Sequence, residues 1–385
     1  MPSNHAAWQL KCHTPLEIKR TPYQEALTPT QVLIKVHAWA INPADYILQD
    51  TEMAFVSYPV ILGEDIAGTI VAQGNATRFA VNDRVIGFAQ GATKGPSMGG
   101  FQEYVVVESD FVCRIPDSML FEQGVVLPLG SSTAAYALVS EEYFGFGVPG
   151  YGRLPAAGNT NQDKGSEKKS VLIWGGSSSV GSNAIQLAVA IGLEVLTTAS
   201  PRNFEGLKKL GADMVFDYTA PDVVSHIVHE LDARSNCVGI FQAAGFGASL
   251  GPVLEIPSLV KSDVFVVTTM PLQENVVPDG VRAKMLFGGN QDVILELWRE
   301  FLPRALEDGG YHALPNPLVM DTRGLKGIQE GYDVLKKGVL QRRLLFLRNR
   351  ARIAYMPLPY FYFLYTAGWE ELQPVLRKAS IGIEL

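Results

Sequence analysis

Short apolar stretches alternate with polar turns over the first 130 residues, and most of them have the length of a β-strand. The pattern predicts strands at 31–41, 68–74, 83–89 and 101–109, separated by Pro and Gly. Strands at this spacing, with little helix between them, are typical of a barrel-like or sandwich-like β domain. The period changes at 130–140, which predicts a helix.

From residue 170 onward, strand patterns and helix patterns follow each other in strict turn. Strands are predicted at 170–175, 194–200, 213–218, 239–245 and 263–270, and helices at 180–192, 203–212 and about 221–232. This alternation is typical of βαβ units on a parallel sheet. We therefore predict an α/β protein, with a Rossmann doubly wound parallel sheet and a second, β-rich domain. The polar stretch at 145–169, before the first of these strands, predicts a flexible, solvated loop or linker.

The segment GGSSSVG at 175–181 joins the first strand of the predicted parallel sheet to its first helix. In doubly wound sheets this turn binds a dinucleotide, whose pyrophosphate lies at the helix N-terminus. Glycines allow the tight turn and the close approach of backbone to phosphate. We expect a dinucleotide here, bound by the N–H groups and hydroxyls of Gly176, Ser177, Ser178, Ser179 and Val180.

The end of the second strand distinguishes NAD from NADPH. NAD sites place an Asp or Glu there for the ribose hydroxyls, but this strand ends with Thr198 and Ala199. A hydroxyl and a guanidinium suit a 2′-phosphate, which needs donors and positive charge. We therefore expect NADPH, with its 2′-phosphate bound by Ser200, Pro201, Arg202, Asn203 and, from the end of the third strand, Tyr218.

Composition and charge exclude several classes of protein. The net charge is −7, so no basic stripe is available to neutralise nucleic-acid phosphates. The three cysteines are far apart and form no C-x-x-C motif, which argues against a disulfide framework and fits a reducing compartment. The N-terminus has no signal-peptide core. We expect a cytoplasmic protein.

Six motifs together carry a family resemblance: INPADY (41–46), YPVILGEDIAGTI (58–70), FAVNDRVIG (79–87), GFQEYVVV (100–107), LPLGSSTAAYAL (127–138) and GGSSSVGSNAIQLA (175–188). With them, residues 1–346 resemble the medium-chain dehydrogenase/reductase superfamily. The segments SPRNFEGLKKLGA and VFDY more narrowly resemble fungal trans-acting enoyl reductases of polyketide pathways and relatives named zinc-binding oxidoreductases. The resemblance implies a GroES-like catalytic domain at 1–130, completed by about 290–346, and a Rossmann NADPH-binding domain at 131–289.

The zinc enzymes of this family differ from the chain at their metal ligands. They carry a Cys within the segment that here is 42–45, and a His where this chain has Glu64 between Gly63 and Asp65. Their cysteine-rich lobe is replaced here by 89–100. Because zinc needs three or four well-placed ligands, we predict that this protein binds no metal.

Loss of the metal changes the chemistry that the resemblance implies. Dehydrogenation of an unactivated alcohol benefits from a Lewis acid that stabilises the alkoxide. Hydride addition to an electron-poor C=C bond needs only hydrogen-bond donors and a dry pocket, because the charge moves to a distant carbonyl oxygen. The zinc-free branches reduce enones, enoyl thioesters or quinones.

We therefore expect hydride transfer from NADPH to the β-carbon of an activated alkene, most specifically as a trans-acting enoyl reductase of secondary metabolism. The substrate would be a small molecule or an acyl chain on a carrier, with a polyketide synthase as partner. Alternatives are a quinone or carbonyl/alcohol oxidoreductase, and an NADPH-binding protein with lapsed catalysis and an interaction role. Relatives are commonly dimers, and the sequence leaves monomer and homodimer open.

The resemblance also assigns residues to the cleft. Residues near the cofactor would be Asn42, Pro43, Ala44, Asp45, Thr133, Val267, Thr268, Arg342 and Arg343. The substrate wall would comprise Ser131, Ser132, Thr133, Ala134, Ala135, Tyr136, Ala137 and Leu138, and the pocket mouth Phe287, Gly288, Gly289, Asn290 and Gln291. The proton donor is left open between Tyr46, Tyr58 and solvent.

Residues 347–385 extend beyond the family pattern. Three arginines precede the charge-free stretch 353–369, whose 17 residues fall short of the ~20 that span a bilayer and include two prolines. We therefore favour packing against the protein body or a partner subunit over membrane insertion. A non-native reading of the 3′ end of the gene would also give such a segment.

Overall fold

The computed structural model describes residues 3–22, 24, 26–147, 168–234, 236–244, 247–272, 276–288, 291–314, 316, 318–336 and 344–347. Several sequence predictions fall outside these residues. They concern most of the loop 145–169, the pocket-mouth residues Gly289 and Asn290, the basic pair Arg342 and Arg343, and the tail beyond Leu347.

Sixteen strands are described. They are β1 (Asn4–Gln9), β2 (Glu17–Thr21), β3 (Gln31–Ile41), β4 (Val60–Ile61), β5 (Asp65–Gln73), β6 (Arg84–Phe88), β7 (Tyr104–Glu108), β8 (Val112–Arg114), β9 (Ser170–Trp174), β10 (Glu194–Ala199), β11 (Met214–Asp217), β12 (Cys237–Gln242), β13 (Phe265–Thr268), β14 (Arg282–Met285), β15 (Leu318–Val319) and β16 (Leu344–Leu347).

Eleven α-helices are described. They are α1 (Pro43–Asp50), α2 (Gly91–Lys94), α3 (Phe121–Gly124), α4 (Pro128–Val139), α5 (Ser179–Ile191), α6 (Phe204–Lys209), α7 (Val223–Arg234), α8 (Gly247–Leu259), α9 (Asp292–Glu296), α10 (Leu302–Glu307) and α11 (Lys326–Lys336). A π-helical turn, Leu297–Phe301, connects α9 to α10.

The second half of the chain forms a six-stranded parallel sheet in the order β11-β10-β9-β12-β13-β14. This is the 3-2-1-4-5-6 order of the doubly wound fold. The central strand β9 is apolar along its length, and every one of its residues is buried, as a strand covered on both faces requires. The predicted fold class is confirmed.

The first half of the chain forms antiparallel sheets, as its short alternating strands predict. Strands β3, β5, β6 and β8 pair in sequence, and β7 pairs with the other edge of β3. Strand β16, from the far end of the described chain, also pairs with β3. A smaller sheet has the order β2-β1-β4.

Helix α4 joins the two halves through a continuous core. It is buried from Pro128 to Leu138 and packs against α5 on the nucleotide side. On its other side the indole N–H of Trp298 donates to the Ser132 hydroxyl at 3.0 Å, and the Trp298 ring stacks on Phe88. The π-helical turn thus places a fully buried tryptophan between α4 and β6.

None of the helices in the described part of the chain has the length and apolar character needed to cross a bilayer. The cytoplasmic location stays a prediction.

Candidate functional site

Two positions of the turn between β9 and α5 leave no space for a side chain. Gly175 has a φ of +88°, and a Cβ at that position would lie 2.2 Å from the Cβ of Ala244. A Cβ on Gly176 would lie 2.1 Å from the Thr197 hydroxyl oxygen. Both distances are far below van der Waals contact, so the backbone of the turn lies directly against its neighbours.

The start of α5 leaves backbone N–H groups available for an anion. Ser178 caps the helix, and its hydroxyl oxygen accepts a hydrogen bond from the Gly181 N–H at 2.8 Å. The N–H groups of Ser179 and Val180 have no partner within the helix, because they belong to its first turn. Two N–H groups at a helix N-terminus, with the partial positive charge of the helix dipole, suit a diphosphate.

Two serine hydroxyls of this turn, which were expected to bind phosphate, form hydrogen bonds within the protein. The Ser178 hydroxyl is used as the helix cap, and the Ser179 hydroxyl donates to the Val126 carbonyl at 3.3 Å. Both side chains are buried, whereas Ser177 is half-buried. The backbone N–H groups, more than these two hydroxyls, are therefore left to contact a phosphate.

The residues expected at the 2′-phosphate lie together at the edge of the parallel sheet. Strands β10 and β11 pair in register up to Ala199 and Asp217, which places the residues that follow them side by side. The Ser200 hydroxyl donates to the Tyr218 phenol oxygen at 3.4 Å, and the Tyr218 side chain is 47% exposed.

The segment after Ser200 completes this region. Pro201–Asn203 form a single 3-10 turn, on which Arg202 is exposed. The neighbouring carboxylate of Asp217 is bound to the Thr219 N–H and hydroxyl, at 3.0 and 2.7 Å. Two hydroxyls and a guanidinium therefore lie at this edge of the sheet.

A chain of short contacts connects the β-rich half to the glycine turn. The Asp65 carboxylate accepts from the Asn42 side-chain amide at 3.1 Å and from the Leu129 N–H at 2.7 Å. The next residue, Gly130, approaches the turn so closely that a Cβ there would lie 2.3 Å from the Ser179 hydroxyl oxygen. The structure therefore brings the start of α1 close to the start of α5.

Helix α1 begins at this junction. The Asn42 N–H donates to the Asp45 carboxylate at 2.6 Å, and Pro43 occupies the first helical position, where its missing N–H costs nothing. Asn42, Pro43, Ala44 and Asp45 are all buried. This first turn is connected to the dinucleotide turn through Asp65, Leu129 and Gly130.

The two candidate proton donors have different surroundings. Tyr46 is on α1 and only 9% exposed. The Tyr58 hydroxyl donates to the Leu48 carbonyl at 3.4 Å, and burial, followed by the Cys12 thiol, raises the pKa of Tyr58 well above its ordinary value. A phenol with a raised pKa is a weaker acid, which argues against Tyr58. The identity of the proton donor stays a prediction.

The predicted substrate wall on α4 is buried. The Ser131 and Thr133 hydroxyls donate to carbonyls of their own helix, those of Pro128 and Leu129, at 3.2 and 2.8 Å. The remaining members of the wall are 0–2% exposed: Ser132, Ala134, Ala135, Tyr136, Ala137 and Leu138. As packed here, this helix is core, and its assignment to substrate stays a prediction.

The end of β13 is buried and well ordered by side-chain hydrogen bonds. Val267 and Thr268 are both fully buried. The Thr268 hydroxyl oxygen binds the Gln242 side chain and accepts from the Met270 N–H at 2.9 Å. Further along, the Tyr143 hydroxyl accepts from the Phe287 N–H at 2.8 Å and donates to the Phe287 carbonyl at 3.1 Å. Gly288 is buried and Gln291 precedes α9.

Within the described ranges, no group of three or more His, Cys, Asp or Glu side chains is arranged to hold a metal ion. At the positions where zinc relatives carry ligands, the Asn42 amide is bound to Asp65, and Glu64 is almost fully buried. The absence of a metal stays a prediction.

Comparison with known proteins identifies the family. Residues 28–117 match the model of the alcohol dehydrogenase GroES-like domain. The chain is 37% identical over 358 residues to dehydrogenase azaJ of Aspergillus niger, with 90% of this chain and 99% of that protein covered. It is also 37% identical over 355 residues to trans-enoyl reductase himH of Aspergillus japonicus, with 90% and 98% covered.

A solved structure agrees with this relationship. The CurK enoyl reductase has the same fold, with a TM-score of 0.64 at 18% identity, and covers 90% of this chain and 99% of its own. The chain therefore belongs to the medium-chain dehydrogenase/reductase superfamily of oxidoreductases, with fungal dehydrogenases and trans-enoyl reductases among its relatives.

Proposed function

We propose that this protein is an NADPH-dependent enoyl reductase that reduces an activated C=C bond. The observation that carries the proposal is the β9–α5 turn, whose glycines, helix cap and free first-turn N–H groups fit a dinucleotide diphosphate. When bound, NADPH supplies the hydride that adds to the β-carbon of the alkene. The relatives named trans-enoyl reductases support this acceptor class.

Two groups of residues bind and orient the cofactor in this proposal. The N–H groups of Ser179 and Val180 bind the diphosphate. Ser200, Arg202 and Tyr218 bind the 2′-phosphate through two hydroxyls and a positive charge, which distinguishes NADPH from NADH. The start of α1 closes the other side, since Asp65 holds Asn42 and Leu129 together.

In this proposal, the burial of the residues assigned to the nicotinamide favours hydride transfer. Asn42, Asp45, Thr133, Val267 and Thr268 are all at most 1% exposed, so bulk water has little access to the residues assigned to the nicotinamide. A dry site strengthens each hydrogen bond to the enolate oxygen that forms during reduction.

The division into a catalytic domain at 1–130 with 290–346 and a nucleotide domain at 131–289 belongs to the same proposal. It is supported by the pairing of β16 with β3.

The substrate proposed is an acyl thioester, presented on the carrier domain of a polyketide synthase. The test is to measure NADPH oxidation with an enoyl thioester, a quinone and an aldehyde, and to identify the products. We expect the enoyl thioester to give the largest kcat/KM, with a saturated thioester as product. Preferred turnover of the quinone or aldehyde, or NADPH binding without turnover of any acceptor, would contradict the proposal.

A further inference from the structure

A small cavity lies beside the start of α1, between the turns that follow β4 and β6. The carboxyl groups of Asp45 and Glu64 and the side chain of Gln90 line it, together with apolar residues such as Leu48 and Phe55. Its volume of about 10 Å³ is the space that one water requires.

Gln90 gives this cavity an unmet hydrogen-bond donor. The side chain is 4% exposed, and its amide nitrogen has no hydrogen-bond partner among the described residues. A buried donor left unpaired costs about 1–3 kcal/mol. The structure therefore contains a buried polar group without a partner among the described residues, on a side chain that lines the cavity.

The chemistry of the lining indicates what that ligand is. A water accepts a hydrogen bond from an amide N–H and donates two to carboxyl oxygens, which matches Gln90, Asp45 and Glu64. No group of three or more His, Cys, Asp or Glu side chains among the described residues is arranged to hold a metal ion. The lining therefore favours water over a cation.

A second buried polar group, a tyrosine hydroxyl, lies near Asp45 and Glu64. Tyr332, on α11, is fully buried, and its hydroxyl has no hydrogen-bond partner among the described residues. Burial, and then the charges of Asp45, Glu64 and Asp50, raise the pKa of Tyr332 well above its ordinary value, so its hydroxyl stays protonated. Asp50 itself is paired with the Lys336 ammonium at 2.7 Å.

The cavity lies next to the proposed reaction site. Glu64 directly precedes Asp65, which binds both Asn42 and Leu129 at the junction with the nucleotide turn. Asp45 binds the Asn42 N–H at 2.6 Å. Asp45 and Glu64 thus both line this small cavity, next to the residues proposed to contact the cofactor.

We propose that this cavity binds one water, and that Glu64 delivers through it the proton that completes alkene reduction. The inference rests on the proposed function. After hydride addition the substrate is an enolate; its α-carbon takes a proton from the water as the C–H bond forms. The water regains a proton from the Glu64 carboxyl group, which becomes a carboxylate and is protonated again from solvent.

Two variants test the inference, and both preserve side-chain size. In Glu64→Gln we expect kcat with an enoyl thioester to fall about 100-fold, in the range of general acid catalysis, with NADPH affinity unchanged. The solvent deuterium isotope effect on kcat should rise, because protonation becomes rate-limiting. In Gln90→Leu, a crystal structure should show the cavity without the water that the unsubstituted protein contains.

The matched control is Glu17→Gln, an exposed carboxylate on β2 paired with Lys19, which should change neither kcat nor the isotope effect. Unchanged kcat and isotope effect in Glu64→Gln would overturn the inference, and so would a dry cavity in the unsubstituted protein. Failure of the unsubstituted protein to reduce any activated alkene would instead overturn the proposed function.

Discussion

Replacement of Arg202 by Ala tests the assignment of the 2′-phosphate site. The side chain lies on the exposed turn that follows β10, beside the hydrogen-bonded pair Ser200 and Tyr218. A hydrogen bond to a charged group contributes about 1.5–3 kcal/mol. Because the site is exposed and screened by solvent, we take the lower end of this range, which corresponds to about tenfold weaker NADPH binding.

The assay is a fluorescence titration of the variant and the unsubstituted protein with NADPH and with NADH, at low and high salt. The loss should be confined to NADPH and should shrink as salt rises, since NADH carries no 2′-phosphate. Lys208→Ala, an exposed cation on the neighbouring helix α6, is the control and should leave both affinities unchanged. Equal weakening of NADPH and NADH binding would refute the assignment.

Three further predictions concern stability and reactivity. Gly176→Ala should lower the free energy of unfolding by about 1–3 kcal/mol and weaken NADPH binding, because the new Cβ would lie 2.1 Å from a threonine hydroxyl oxygen. The control is Gly206→Ala, where the Cβ has open space, and it should be neutral or stabilising in urea unfolding. Ser178→Ala removes the cap of α5 and should cost about 1 kcal/mol in urea unfolding; an unchanged midpoint would argue against the cap. Burial raises the pKa of Cys113 to about 12 and of Cys237 to about 11, so at pH 8 both remain thiols. Both should therefore resist iodoacetamide in the native protein, with reaction appearing only as the pH rises toward these values. Mass spectrometry that shows either cysteine modified at the rate of a free cysteine would contradict this prediction.

The elements with a clear period could be predicted from the sequence. Strand β9 is a short apolar run and α5 has apolar residues on a helical period, and both lie within a residue of the predicted positions. The apolar alternation at 31–41 likewise becomes β3 with the same bounds. In these segments, local pattern and tertiary packing favour the same structure.

Other elements could not be read from a pattern. Helix α1 is only eight residues long and begins with a proline, and its position depends on a contact between Asn42 and Asp65, which lie 23 residues apart in the sequence. Strand β14 is polar and lies at the edge of the sheet, so it has no apolar signature. Short elements defined by long-range contacts give no local signal.

The position of the glycine turn could be predicted from the sequence, but the contacts of its side chains could not. The glycine turn has the expected place after β9. The hydroxyls of Ser178 and Ser179, however, are bound within the protein, Ser179 to a carbonyl more than 50 residues away. The cavity beside Glu64 and Gln90 also could not be predicted from the sequence, because its walls come from separate turns that only the fold brings together.

The most direct test of the account is a crystal structure of the protein with bound NADP. We predict that the diphosphate lies about 3 Å from the backbone nitrogens of Ser179 and Val180, and that the 2′-phosphate contacts Ser200 and Arg202. A structure in which the dinucleotide lies elsewhere and the β9–α5 turn contacts no phosphate would contradict the account.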